Sequence, residues 1–287
     1  VGSIVLPNPV MTASGTAGHG AGARGSAPLG ESHRPHFDHR CGGRCPPKGD
    51  STMTIAAAEA PPEIRSRLAV ALDVDDAVVA LRLARQLRPW FGVAKVGLEL
   101  YSAAGPDVVG ALTELDYDVF CDLKFHDIPT TVGRAARVIG ALGATYLNFH
   151  AQGGVSMLTA GVEGFLGGAA DAGLRRPTGL AVTILTSEAD APSAVLGERV
   201  RAALAAGCGG VVCATSDVAE VKRLGPQLTA VVPGIRPAGV PLHDQARAAE
   251  PQEAIAAGAD VLVLGRAVTQ ADDPAGAAAA IAASIAR

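Results

Sequence analysis

From about Arg67 to the C-terminus, short apolar runs alternate with longer Ala- and Leu-rich stretches. The runs are LAVALD (68–73), GVAKVG (92–97), VFCDLK (119–124), TYLNFH (145–150), GLAVTIL (179–185), GVVCAT (210–215), LTAVVPG (228–234) and VLVLG (261–265). Runs of this length, bounded by turn-forming or polar residues, predict buried strands. The stretches between them, such as DAVVALRLARQLRPW and DVAEVKRLG, predict helices. Eight strand–helix units within about 220 residues predict an α/β fold, a (β/α)8 or TIM barrel. An open doubly wound sheet is the alternative, but it usually has fewer strands and a switch point.

Residues 1–60 lack this pattern. They are rich in Gly, Pro, His and Arg and show no sustained apolar period. Such a segment buries too little surface to offset its ordering entropy, so a disordered extension is expected ahead of a barrel at 61–287. Within it, HRPHFDHRCGGRC offers His36, His39, Cys41 and Cys45 as metal ligands. Their spacing is irregular and no apolar residues surround them, so a solvated low-complexity tail is the better reading and no metal is expected.

Composition narrows the function classes. The chain has 287 residues, 48% of them hydrophobic, enough for a sizeable core. A net charge of −4 gives no basic surface for nucleic acid. No apolar run is long enough for a membrane span. The N-terminus lacks a basic region followed by an apolar core, so no secretory signal is expected. Cys121, Cys208 and Cys213 fall in apolar segments and read as buried thiols, which fits a reducing cytoplasm.

Charge is concentrated where barrel enzymes carry their chemistry, at the C-terminal ends of the strands. The first strand ends at Asp73, the second carries Lys95, and the third carries Asp122 and Lys124. The fourth ends at Asn148 and His150, and the fifth leads to Thr186 and Ser187. Alternation along a strand points Asp122 and Lys124 to one face. If that face is the barrel interior, they form a buried pair beside Asp73 and Lys95. An ion network that merely fills the barrel is the alternative, but such interiors are normally packed with branched apolar residues. Asp127 lies past the strand end, on a loop that can face this mouth or a neighbouring subunit.

The last two strand ends read as a phosphate site. VVPGIRP places Gly234 and Arg236 after the seventh strand, and LGRAVTQADDP places Gly265 and Arg266 after the eighth. Glycine admits close backbone approach, and arginine with helix-start amides binds an oxyanion. Gln245, in HDQAR, can add an amide donor. The expected substrate is therefore a small phosphorylated molecule, with a lysine between carboxylates at its far end.

The motifs ALDVD, AKVGLEL, DLKFHDIPTTV, NFHAQGG, AVTILTS, VVCA, PGIRP, HDQAR and LGRAVTQADDP run in this order from about Leu68 to the C-terminus. Together they resemble orotidine 5'-phosphate decarboxylase, which makes UMP in the last step of de novo pyrimidine synthesis. The resemblance implies that Lys124 protonates C6 of the pyrimidine and that Asp122 lies beside the departing carboxylate. It implies a homodimer in which Asp127, with Ile128 and Thr131, completes the site of the partner subunit. Lys95 would link the charge array to the ribose hydroxyls, and Asp73 would bind ribose. Thr186 would contact the base, and Arg236, Gln245, Gly265 and Arg266 would hold the phosphate. No metal and no organic cofactor is implied. His126, Asn148 and His150 receive no role.

Two neighbouring readings frame this one. Sugar-phosphate decarboxylases and synthases related to it share the Asp-x-Lys-x-x-Asp strand but use magnesium, with an acidic residue where this chain has Lys95. Residues 1–22, VGSIVLPNPVMTASGTAGHGAG, resemble the start of dihydroorotate dehydrogenase, a flavin-dependent barrel. That resemblance stops after this stretch, so it is read as a remnant of a neighbouring reading frame, with Met53 a candidate natural start. A catalytically silent barrel is a third reading, disfavoured by the intact charge array.

Overall fold

The computed structural model describes residues 59–185, 193–237 and 249–286. The expectations placed on His36, His39, Cys41, Cys45, Met53 and residues 1–22 lie outside these residues, as do Thr186, Ser187 and Gln245.

Eight parallel strands close into a barrel in sequence order, with β1 hydrogen-bonded to both β2 and β8. They are β1 Leu68–Ala71, β2 Val93–Gly97, β3 Asp118–Phe125, β4 Tyr146–His150, β5 Thr178–Val182, β6 Gly210–Val212, β7 Thr229–Val232 and β8 Val261–Leu264. Helices occupy the connections: α1 Pro62–Arg65, α2 Ala77–Leu87, α3 Leu98–Ala104, α4 Asp107–Thr113, α5 Pro129–Ala141 and α6 Gly154–Asp171. The second half adds α7 Ser193–Ala205, α8 Val218–Leu224, α9 Pro251–Ala256, α10 Arg266–Thr269 and α11 Pro274–Ile285. All eight expected strands are present. Several end earlier than their apolar runs: β1 stops at Ala71, β5 at Val182 and β6 at Val212, two or three residues before the runs do.

The strand period separates two apolar layers. Ala69, Ala71, Val93, Phe120, Leu180, Val182, Val212, Val231, Val261 and Val263 fill the barrel interior. Their neighbours Leu68, Val70, Ala94, Val96, Val119 and Cys121 face outward and pack under the helices. Phe120 meets Tyr146 edge-on at 6.2 Å between ring centroids, closing the interior with aromatic bulk. Cys121, Cys208 and Cys213 are buried free thiols, and burial pushes each up to about 12. They are therefore un-ionised packing groups at neutral pH.

One helix contact positions the start of α5. Where α5 crosses α6, glycines line both helices: Gly133 and Gly140 on the first, Gly164 and Gly168 on the second. A Cβ on Gly168 would lie 1.9 Å from the Arg137 carbonyl oxygen, and one on Gly164 would lie 2.1 Å from that of Gly133. The helices are closer than any side chain allows, so this seam fixes α5 and the Asp127–Thr131 segment that opens it. Alanine gains about 1 kcal/mol over glycine in a helix interior, but forcing a methyl into such a contact costs more, typically 1–3 kcal/mol. Gly168→Ala is expected to lower unfolding stability by about 2 kcal/mol in urea titrations. Gly110→Ala on α4, where an added Cβ meets nothing within 4 Å, is expected to leave stability unchanged or raise it.

Candidate active site

The inward-facing rows of β1 to β4 end in charge. Lys95 continues the row begun by Val93, Asp122 the row of Phe120, Asn148 the row of Tyr146, and Asp73 follows Ala71 just past β1. Lys95 Nζ lies 2.8 Å from Asp73 Oδ1 and 3.3 Å from Asp122 Oδ2. Lys124 Nζ lies 2.7 Å from Asp122 Oδ1. The side chains of Lys95 and Asp122 are 10% and 15% exposed, while Lys124 and Asp73 reach 33% and 54%. The array thus runs from a dry floor to an open mouth, rather than being wholly buried as the sequence led us to expect. Gly97 makes room for it: an added Cβ would sit 3.0 Å from Asp73 Oδ1 and 3.2 Å from Lys95 Nζ.

Lys124 reaches this position through an irregularity in β3. Pairing with β4 passes from Cys121↔Leu147 directly to Phe125↔Phe149, so four steps on β3 span two on β4. The excess forms a bulge, and Lys124 sits in it at φ 49°, left-handed backbone that a non-glycine residue adopts at a cost. Alternation alone therefore gave the right neighbours for Asp122 and Lys124 by a simpler route than the chain takes. Within the bulge, the Lys124 backbone N–H donates to Asn148 Oδ1 at 2.7 Å, and Asn148 Nδ2 donates to Asp122 Oδ1 at 2.7 Å.

The charges set one another's ionisation. Burial works against an ionised Asp122, but Lys95, Lys124 and the Lys124 and Asn148 hydrogen bonds outweigh it and hold the carboxyl below its usual range. Burial likewise works against charge on Lys95, and Asp122 and Asp73 outweigh it and raise its proton affinity.

These groups line one side of a cavity of about 560 Å³ whose floor is Ala71, Phe120, Val182, Val212 and Val263. The opposite side is cationic. Arg236 is buried there, its backbone N–H bonded to the Ala249 carbonyl, and Arg266 follows Gly265 at the start of α10. Gly234, at φ 80°, makes the turn that brings Arg236 inward. The cavity therefore suits an elongated ligand with an anion at one end and a reacting group beside Lys124 at the other.

Of the expected site residues, Asp73, Lys95, Asp122, Lys124, Arg236, Gly265 and Arg266 line this cavity. Asp127, Ile128 and Thr131 do not; they are exposed at the start of α5, where the Asp127 carboxylate accepts the Ile128 N–H at 2.7 Å. Ile128 is 66% exposed, unusual for so apolar a side chain. His126 and His150 lie ring to ring at 5.5 Å. The sequence reading did not single out Gly97 or Phe120, which share the inward rows of Lys95 and Asp122, nor a site position for Cys213, which lines the cavity just past β6.

The ionisation of Asp122 has a stability consequence. A carboxyl whose folded value is lowered contributes stability in full above its ordinary 3.8, and loses it as pH falls through the lower folded value. Lys95 has the opposite sign: its contribution is full below 10.5 and fades as pH rises through the raised folded value. Asp122→Asn is expected to unfold at lower urea concentration than wild type at about pH 7, with the gap narrowing at about pH 3. Urea titrations at the two pH values check this; an unchanged gap would mean that the carboxylate is not held ionised by its neighbours.

A family model described as Orotidine 5'-phosphate decarboxylase / HUMPS family matches residues 66–281. Orotidine 5'-phosphate decarboxylase of Anaeromyxobacter sp. (strain K) is 46% identical over 230 residues, covering 76% of this chain and 98% of that protein. The protein of the same name from Parasynechococcus marenigrum (strain WH8102) is 47% identical over 226 residues, covering 75% of this chain and 92% of its own. The crystal structure of orotidine 5'-phosphate decarboxylase from Lactobacillus acidophilus superposes with a TM-score of 0.64 at 34% identity, covering 75% of this chain and 97% of that one. The barrel, its charged mouth and these similarities agree, and the chain belongs to the orotidine 5'-phosphate decarboxylase / HUMPS family.

Proposed function

We propose that the barrel of residues 61–287 decarboxylates orotidine 5'-phosphate to UMP and carbon dioxide, a carboxy-lyase step that completes pyrimidine nucleotide synthesis in the cytoplasm. The observation that carries this is the Lys124 ammonium, held 2.7 Å from Asp122 across a cavity of about 560 Å³ from Arg236 and Arg266. In this reading the bond from C6 to the carboxylate breaks and its electron pair stays on C6. The pyrimidine ring barely delocalises that pair, so the carbanion needs a fixed cation close by. Lys124 supplies it, then transfers a proton to C6 and is reprotonated from solvent. In a site of low effective dielectric such a contact contributes several kcal/mol. Asp122 fixes the ammonium and places like charge beside the leaving carboxylate, a repulsion relieved as carbon dioxide departs. Carbanion stabilisation outweighs that ground-state effect.

The remaining roles are those that the family resemblance implies, with Asp73, Lys95, Arg236, Gly265 and Arg266 lining the cavity. Asp73 and Lys95 take the ribose hydroxyls, Thr186 the base, and Arg236, Gln245, Gly265 and Arg266 the phosphate. Phosphate binding, remote from the breaking bond, offsets the cost of bringing like charges together. Asp127, Ile128 and Thr131 are exposed and line no part of this chain's own cavity, which supports a homodimer in which they complete the partner's site. The chemistry as drawn calls for no metal or organic cofactor. A magnesium-dependent sugar-phosphate reaction is disfavoured by Lys95, whose ammonium already occupies the space between Asp73 and Asp122 where a divalent cation would need to sit.

The test is the loss of the orotate absorbance band when orotidine 5'-phosphate meets purified protein in excess EDTA, with UMP as product. Lys124→Ala is expected to lose turnover by at least ~10³-fold while still binding UMP; normal turnover in that variant would remove the assignment. For the dimer, Lys124→Ala and Asp127→Ala chains are each expected to be nearly inactive alone. Mixed, unfolded and refolded together in equal amounts, they are expected to recover about a quarter of wild-type activity, because hybrid dimers regain one intact site. No recovery would place Asp127 in its own chain's chemistry, and an Asp127→Ala chain active alone would place it outside the chemistry.

A further inference from the structure

The decarboxylase reading gives Asn148 no part, yet its side chain is fully buried and both of its polar ends are used within the reacting array. We propose that Asn148 is a positioning residue for the reaction, one that shapes the β3 bulge and fixes the ionised Asp122 so that the Lys124 ammonium is aimed at C6. The proposal rests on the decarboxylase reading.

The geometry carries it in three steps. By alternation from Asp118, whose N–H bonds the Gly92 carbonyl, the Lys124 N–H of a regular β3 would face β2, whose pairing ends at Gly97↔Asp122. The β3–β4 register jumps from Cys121↔Leu147 to Phe125↔Phe149, and the Asn148 amide oxygen accepts that N–H at 2.7 Å. The side chain thus stands in for backbone at the residue forced to φ 49°. The same amide donates from Nδ2 to Asp122 Oδ1, the atom that also receives the Lys124 ammonium. An N–H faces one end of the amide and a carboxylate the other, so a single orientation satisfies both. That orientation requires Asp122 to be an acceptor on this side. The amide therefore couples the backbone of the proton donor to the carboxylate that holds its ammonium.

Asparagine is the residue type that does both. Leucine matches its size and offers neither contact. Aspartate keeps the acceptor for the Lys124 N–H but, when ionised, sets a second carboxylate against Asp122. Protonated, it regains an O–H that can donate to Asp122 as the amide does. Two such carboxyls in contact share a proton, which raises the pH at which one of them protonates. Asn148→Asp should therefore work better as pH falls.

The charged groups around the amide are Asp122 and Lys124 on β3, with Lys95 on β2 and Asp73 after β1 beyond them. His150 follows two residues later on β4, with His126 against it. The β5 residues paired to β4 are Thr178, Gly179, Leu180, Ala181 and Val182, none titratable, and Glu163 and Asp171 of α6 are exposed. Each variant is compared with wild type at every pH, and Asn148→Leu shows what loss of the amide does without a new carboxyl.

The experiment measures kcat and KM for orotidine 5'-phosphate in wild type, Asn148→Asp and Asn148→Leu from about pH 5.5 to about pH 8.5. One charge-assisted hydrogen bond is the effect at stake, so Asn148→Asp is expected to lose about 100-fold in kcat at the alkaline end. It is expected to recover to within about 10-fold of wild type at the acid end. KM should change far less than kcat, since the phosphate end is untouched. Asn148→Leu should show a kcat loss of similar size at every pH, with faster hydrogen exchange at the Lys124 amide. If Asn148→Asp does not fold, the Asn148→Leu split between kcat and KM and the Lys124 exchange rate decide the matter. A ratio to wild type that is flat with pH in Asn148→Asp overturns the proposal, as does Asn148→Leu with wild-type kcat and only lowered thermal stability. A silent wild type overturns the decarboxylase reading, and this role with it; an active wild type with either contrary result overturns the role alone.

Discussion

A single carboxylate organises the mouth of this barrel. Asp122 receives Lys124 and Asn148 on one oxygen and Lys95 on the other, so donors from three adjacent strands converge on one acceptor. Without it, two ammonium groups would face each other over an apolar floor, where repulsion is poorly screened. With it, and with Asp73 behind Lys95, the array carries two positive and two negative charges. Breaking one partner of such a network leaves a desolvated charge unpaired, which costs more than an average contact. The arrangement is stiff for this reason, and a stiff cation is what the proposed chemistry needs, because little energy is then spent reorganising the site as charge develops on carbon.

The rest of the fold serves that rigidity in two ways. The floor of Ala71, Phe120, Val182, Val212 and Val263 excludes water from beneath the array and leaves nothing polar to compete for Asp122. Around the outside, the glycine seam between α5 and α6 fixes the segment that follows β3. Gly133, Gly140, Gly164 and Gly168 bring two backbones into contact, and the position of α5 then follows from main-chain shape rather than from side chains that can change rotamer. Asp127 and Ile128 are thereby held in place at the exposed start of α5.

Much of this was legible in the order of residues. Each strand falls on an apolar run, and in the first four the polar residue at or near the end of the run marks the mouth. The array of Asp73, Lys95, Asp122 and Lys124 followed from strand ends alone. Other features were hidden for physical reasons. The bulge in β3 carries no glycine or proline to announce it, because Lys124 itself takes the left-handed conformation and a neighbouring strand stabilises it. Asn148 looked like any polar residue near a strand end, and its meaning depends on a register shift between two strands, which no single segment reveals. Gly97 reads as a strand terminator, whereas its lack of a side chain is what admits Lys95 to Asp73. Asp127 could not be placed by pattern, since a loop residue one turn before a helix can face either way.

The bulge also bears on engineering. Stabilising a barrel usually means regularising it: removing irregular pairings, straightening strands and replacing buried polar groups with aliphatic ones. Applied here, those rules would pair residues 122–124 evenly with β4 and exchange Asn148 for leucine or valine. The product would be a tidier scaffold in which the lysine leaves its place beside Asp122. In this chain the least ideal turn of backbone is also the one a designer has most reason to copy unchanged.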